Sequence, residues 1–284
     1  MSRNRDRVGS QPDTAPPIAN TAETSDGAPF SFVVPTEFVE LPSGGKWYAE
    51  GHPLYNQDSV EIKHMTAKEE DMLTSRTLLK KGVALDRVIK SVIMDKSIDP
   101  DSLLVGDRNA IIIATRVSAY GADYKTKVTC PACGTSQDHE FDLNDAHIHS
   151  GEDDEFTDIA SNGNGTFNVT LPRTGIVATF KLLNGHDEQK LLRGVNSDRK
   201  NKGNEKVVTR QLSNMLVAVN DDTSAHAINY LVNNIPSLDA RHLRLSYRRV
   251  APNIDLTQDF SCSECGHEQD MEVPLSAEFF WPDR

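Results

Sequence analysis

Cys130-Pro131-Ala132-Cys133-Gly134 and Cys262-Ser263-Glu264-Cys265-Gly266 hold all four cysteines of the chain, and their reading decides the fold. Two residues between thiolates let a tight knuckle turn both sulfurs toward one metal ion, and two knuckles complete a tetrahedron. The glycine after each pair takes the positive φ that ends such a turn. The knuckles are also internal repeats, because Cys133 to Leu143 and Cys265 to Leu275 share the pattern C-G-x-x-Q-D-x-E-x-x-L. Extended segments precede both, Lys125 to Thr129 and Asp255 to Ser261, which places each knuckle at the tip of a β-hairpin. Two such hairpins make a zinc ribbon, with Cys130, Cys133, Cys262 and Cys265 as ligands of one structural zinc.

Other chemistries use the same residues. A pair of disulfides is rare in a cytoplasmic chain, a thioredoxin-like redox pair would open a helix after a strand, and iron accepts the same ligand geometry as zinc. Four thiolates close a tetrahedral shell and leave no position for water, so the metal is expected to be structural rather than catalytic. His139 and His267 are read as exposed hairpin histidines, not ligands.

Working outward, the stretch between the knuckles is far longer than the loop of an ordinary ribbon, which implies an inserted domain. The fold class is α+β. A disordered arm over 1–28 leads into a mainly helical N-terminal lobe, 29–122. A split ribbon, 123–145 with 254–275, brackets an acidic, glycine-rich linker, 146–165, and an inserted β-hairpin plus helices, 166–253. An aromatic tail, 276–284, closes the chain.

Local signals support this order. Leu41-Pro-Ser-Gly-Gly-Lys-Trp-Tyr48 reads as a glycine turn and lacks the spacing of a phosphate-binding loop. Thr66-Ala-Lys-Glu69 is a capping box that starts a helix, with acids in its first turn and Lys80, Lys81 and Gly82 at its end. Leu85, Val88, Ile89, Val92 and Ile93 form one apolar helical stripe. A third helix from about Asp107 to Tyr120 is apolar all round at Ile111 to Ala114, as a central buried helix should be. Gly151-Glu-Asp-Asp-Glu155 lacks the ligand pattern of a calcium loop. Thr166 to Leu171 and Ile176 to Leu182 form a hairpin about Pro172-Arg-Thr-Gly175. Helices marked by Val208 to Val219, by Ile228 to Ile235 and by Ser237 to Val250 follow.

Composition narrows the function. The 284 residues are 37% hydrophobic, enough for a core, and carry 42 acids against 30 bases, a net charge of −12. That balance disfavours nucleic acid and anionic lipid as partners. The first residues lack the apolar core of a secretory signal, and no stretch approaches the ~18 apolar residues of a membrane span, so a cytoplasmic location is expected. Arg241, Arg244 and Arg248, with Arg249 beside them, form a basic helical face and are candidate partner contacts. Its plainer explanation is pairing with the chain's own acids. Phe279, Phe280 and Trp281 at the end of the chain need burial, in the chain's own core or in a partner. His186-Asp187-Glu188, the densest titratable cluster, reads as a helix start and not as catalytic machinery.

From about Phe30 to Arg284 the chain resembles the baseplate hub protein family of T-even-like contractile-tailed bacteriophages. The resemblance rests on the ordered blocks Leu41 to Tyr48, Met65-Thr-Ala-Lys-Glu-Glu-Asp-Met-Leu-Thr-Ser75, the paired C-x-x-C-G knuckles, Leu238-Asp-Ala-Arg-His-Leu-Arg244 and Phe279-Phe-Trp-Pro-Asp283. It implies a non-enzymatic component of the tail hub or a factor in its assembly, with other tail or hub proteins, the tape-measure protein among them, as partners. It also implies a place in the host cytoplasm during assembly or in the virion baseplate. A zinc-ribbon nucleic-acid binder is the alternative.

Overall fold

A computed structural model of the chain describes residues 32–151, 158–200, 206–273 and 277–280. The expected arm over 1–28 and Trp281 lie outside these residues. Residues 32–35 carry no regular secondary structure. From Thr36 onward the architecture is α+β.

The first pair of strands, β1 (Thr36–Glu40) and β2 (Ser59–Lys63), is antiparallel with Val39 opposite Val60. Alternation puts Val39, Val60 and Ile62 in the core. The loop between them contains the expected glycine turn, and its second glycine has no substitute. Gly45 has φ of +72°, and a Cβ there would lie 2.4 Å from the backbone of Gln57. This tight turn aims Ser43 and Tyr48 inward at Asp107. The Asp107 carboxylate accepts the Ser43 amide (3.0 Å), the Ser43 hydroxyl (2.6 Å) and the Tyr48 hydroxyl (2.7 Å). Tyr48 in turn accepts the Leu104 amide at 3.1 Å. Burial raises the carboxyl pKa of Asp107, and its three donors oppose that shift.

The helix expected from Thr66 to Lys81 is two helices, α1 (Ala67–Thr74) and α2 (Arg76–Lys81), broken at Ser75. Ser75 is extended, with ψ of 106°, and the Thr74 hydroxyl bonds back to the Glu70 and Asp71 carbonyls. Such local bonds compete with the helical ladder. Gly82 ends α2 in a left-handed conformation, its amide donating to Leu78 and Leu79. The apolar stripe forms α3 (Ala84–Val92), with Val88, Ile89 and Val92 buried. Next comes α4 (Val105–Tyr120), whose Ile111, Ile112 and Ile113 are buried on successive faces, as expected of a central helix.

After α4 come β3 (Asp123–Thr129), β4 (Ser136–Asp142) and β5 (His147–His149). A four-stranded antiparallel sheet then runs in the order β6 (Ile159–Ser161), β7 (Thr166–Thr170), β8 (Val177–Lys181) and β9 (Leu216–Val219). Helices α5 (Gly185–Lys200) and α6 (Val207–Met215) separate β8 from β9. Then follow α7 (Ala225–Asn234), α8 (Ser237–Val250), β10 (Asn253–Asp255), β11 (Thr257–Ser261), β12 (Glu268–Glu272) and a 3-10 turn, Ala277–Phe280. Two strands fall within the stretch expected as linker: β5 pairs with β10, and β6 with β7. The expected helix over Val208 to Val219 is also corrected, since Leu216 to Val219 leave α6 and pair with β8. Leu-Val-Ala-Val is a short apolar run that fits either period, and the open edge of β8 decides it.

Buried polar groups fasten these pieces. Asp239, fully buried at the start of α8, accepts the Arg173 amide (2.7 Å), the Thr174 amide (3.1 Å) and the Thr174 hydroxyl, holding the turn between β7 and β8. Glu69, also fully buried, accepts the Thr66 amide and hydroxyl, Ser91 Oγ and Lys63 Nζ. Burial alone would raise the Glu69 pKa, but the bonds from Lys63, Ser91 and Thr66 outweigh it and hold the carboxyl at about 2, below its ordinary 4.5. Because the folded value is depressed, the stabilisation is complete above pH 4.5 and is lost as pH falls toward 2. Replacing Glu69 by Ala strands Lys63 and Ser91 and is expected to cost about 3 kcal/mol at pH 7. Urea unfolding of both proteins from pH 7 downward checks this, the difference between them shrinking below pH 4.5.

Candidate metal centre

The two knuckles come together. Hairpin β3–β4 pairs Thr129 with Ser136 at its tip, and hairpin β11–β12 pairs Ser261 with Glu268. The Cys130 amide donates to the Thr135 carbonyl and the Gly134 amide to the Cys130 carbonyl, each at 2.9 Å. Cys262, His267 and Gly266 repeat this pattern at the same distances. Gly134 and Gly266 take φ of 74° and 68°, as the repeat predicts.

Period-two alternation gives each hairpin an inner face. Tyr124, Val128 and Phe141 are buried on one, Phe260 on the other. Polar bonds join the hairpins: Gln137 Nε2 donates to the Ser261 carbonyl (3.0 Å), and Gln137 Oε1 accepts the Ser263 amide (2.9 Å). At the far end Gln258 accepts the Asp142 amide at 3.0 Å and donates to the Asp142 carbonyl. His139 is half-buried, contrary to the exposed position expected, with its ring edge-on to Phe141 (4.5 Å) and Phe260 (5.4 Å). His267 is half-buried as well.

These contacts bring four sulfurs within 4.8 Å of one another. Cys130 Sγ lies 3.8 Å from Cys265 Sγ, and Cys133 Sγ lies 3.7 Å from Cys262 Sγ. Four ligands about 2.3 Å from a tetrahedral centre would be about 3.8 Å apart, whereas a disulfide needs about 2.05 Å. The donor set therefore fits a metal ion, and all four cysteines are free thiols. Cys130 and Cys262 are buried, while Cys133 and Cys265 face solvent.

Electrostatics points the same way. The Thr135 hydroxyl and amide favour the Cys133 thiolate and lower its pKa to about 6. Cys265 is pushed up to about 12: the His267 amide favours its thiolate, but loss of water and the sulfurs of Cys133, Cys262 and Cys130 outweigh that bond. A second thiolate among crowded sulfurs is costly unless a cation neutralises it. A bound divalent ion would supply that charge and fix the two hairpins as one unit.

A family profile described as T4 bacteriophage base plate protein matches residues 34–281. The chain belongs to that family. Neither curated proteins nor solved structures give a significant match. The sequence blocks of this baseplate protein are anchor points of its core: Leu41 to Tyr48 supplies the donors to Asp107, Met65 to Ser75 carries Glu69, and Leu238 to Arg244 carries Asp239.

The remaining candidate residues divide. Of the two places expected for their burial, Phe279 and Phe280 take the chain's own core, where both are fully buried, and so are not available as partner contacts. Phe279 packs edge-on against Tyr124 at 5.1 Å, and its carbonyl accepts Arg116 Nε at 3.0 Å. Arg116 went unnoticed in the sequence, although it is fully buried on α4. Its other nitrogens reach the Gly121 and Asp123 carbonyls, and its guanidinium lies 5.2 Å from the Tyr120 ring centre. Arg241 and Arg248 are exposed, and Arg244 is half-buried with Nε on the Ala240 carbonyl of its own helix. Arg249 faces Asp158 at 4.0 Å. His186, Asp187 and Glu188 open α5, where Asp187 exchanges bonds with Asn184 and accepts Lys181, and Glu188 faces Arg108.

Elemental analysis of the purified protein is expected to find about one equivalent of bound metal. Less than half an equivalent counts against the site. Because each ligand must be deprotonated, lowering the pH releases the ion, and Cys262→Ser should lower both metal content and thermal stability.

Proposed function

We propose that this baseplate protein is a non-enzymatic component of the tail hub, or a factor in hub assembly, that acts through protein contacts and is held by one structural zinc. The observation that carries the reading is the family match over nearly the whole described chain. The ligand set supports zinc: four thiolates at tetrahedral spacing leave no open position for substrate or water. Three fully buried carboxylates, Glu69, Asp107 and Asp239, serve the core. Each is a buried acceptor for backbone and side-chain donors from another segment.

Among the described residues no helix is long and apolar enough to cross a membrane. Partners are other tail or hub proteins, the tape-measure protein among them, met in the host cytoplasm during assembly or in the finished baseplate. The second reading, a zinc-ribbon binder of nucleic acid, draws on exposed Arg241 and Arg248, and the net charge of −12 opposes it.

Affinity capture by the tagged chain in infected cells decides between them. Recovery of a tail hub or tape-measure protein supports the hub reading. Recovery of nucleic acid alone, with an affinity that falls steeply as salt rises, overturns it.

A further inference from the structure

The two hairpins share a fold but differ in their outward charge. On β3–β4, Lys125 stands opposite Glu140, 3.5 Å away, and Lys127 opposite Asp138. On β11–β12 the outward positions are Thr257, Asp259, Ser261, Glu268, Asp270 and Glu272, all exposed. Asp259 is directly opposite Asp270, a like-charge pair that destabilises a lone hairpin. No base lies on this face.

The opposite chemistry lies on α8. Leu238, Arg241, Leu245 and Arg248 recur at steps of three and four, so they form one stripe along the helix. Its inner side, Asp239, Ala240, Leu243, Ser246 and Val250, is buried. The stripe is open: Leu238 is 56% and Leu245 41% exposed, and neither Arg241 nor Arg248 has an ion-pair partner among the described residues. In a chain of net charge −12, two arginines without an ion-pair partner among the described residues, alternating with exposed leucines, form a basic and apolar surface.

The two surfaces adjoin. Arg248 from α8 and Glu272 from β12 line the same cavity, of about 230 Å³. A patch whose basic half borders its acidic half is complementary to itself under a two-fold rotation. We propose that a second copy of this chain docks here, the α8 stripe of each copy lying on the β11–β12 face of the other. That arrangement sets Arg241 and Arg248 against Asp259 and Asp270, and covers Leu238 and Leu245 with Thr257 and the stems of the glutamates. Packing α8 on α8 would set arginine against arginine. The inference stands on these surfaces alone, apart from the hub reading.

Sedimentation of the purified full chain over a range of concentrations and salt tests it. A dimer is expected, weakening as salt screens the pairs. Arg241→Glu with Arg248→Glu should raise the dissociation constant at least ~10-fold, and so should Asp259→Lys with Asp270→Lys. Mixing the two double variants restores one native contact and sets the introduced glutamates of one chain against the introduced lysines of the other, so both contacts are complementary and a heterodimer tighter than either variant alone is expected. An unchanged melting temperature shows that each variant folds. A monomer at every concentration, as expected if α8 serves only an acidic partner protein, overturns the proposal. So does a dimer indifferent to the substitutions, or no tightening on mixing.

Discussion

Four sulfurs within 4.8 Å of one another set the terms for everything that follows them in the chain. Both ends of the long excursion from β4 to β11 are fixed there. Everything from β5 to β10 must therefore leave and return to one place. The ends of the excursion meet that condition by pairing with each other, His147 with Asp255 and His149 with Asn253. Two close approaches lock the crossing. A Cβ on Gly151 would lie 2.2 Å from the Val250 carbonyl, and one on Gly106 would lie 2.0 Å from the Pro252 carbonyl. No residue with a side chain fits at either point without displacing backbone.

Helix α4 is the seat for this closed loop, and its polar residues make the joints. Asp107 holds the N-terminal loop through Ser43 and Tyr48. Arg108 bonds Asp86 at 2.7 Å and faces Glu188 of α5 at 3.5 Å, joining the helical lobe to the insert. Asn109 donates to Asn253 of β10, and Arg116 holds the Phe279 carbonyl. An isolated buried guanidinium is expensive, so Arg116 fixes the path of the C-terminal turn: removing that carbonyl leaves a charge-bearing donor unsatisfied. Apolar packing gives α4 its depth, but these bonds decide which segment lies where.

Signals confined to one element were legible from the sequence. The knuckles, their glycines, the helix start at Thr66 and the stripe of α3 each depend on spacing within a few residues. Pairings at long range were not. Nothing in the periodicity around Ile111 says that Asp107 meets Ser43 or that Arg116 meets Phe279, because a polar residue in an apolar helix has no local partner to reveal it. The misread strand β9 has the same origin: four apolar residues fit a helix as well as a strand, and only the free edge of β8 settles which. The break at Ser75 turns on a hydroxyl bonding back to the carbonyls of its own turn, which a capping pattern upstream does not predict.

The repeat itself shows where duplication stops. Gln137 and Gln269 occupy the same place in the shared pattern, yet only Gln137 bridges the hairpins, accepting the amide and hydroxyl of Ser263. The residue facing Gln269 by the same symmetry is Pro131, which follows Cys130 as Ser263 follows Cys262. Proline has no amide hydrogen, so the reciprocal bond cannot form. Among the described residues the Gln269 side chain has no such partner. Proline thus removes one half of the symmetry: the first hairpin grips the second through Gln137 at the tip, and among the described residues the second reaches back through Gln258 at the far end. With one polar bridge at the tip, an ion held by the four sulfurs would supply the second tie between the knuckles.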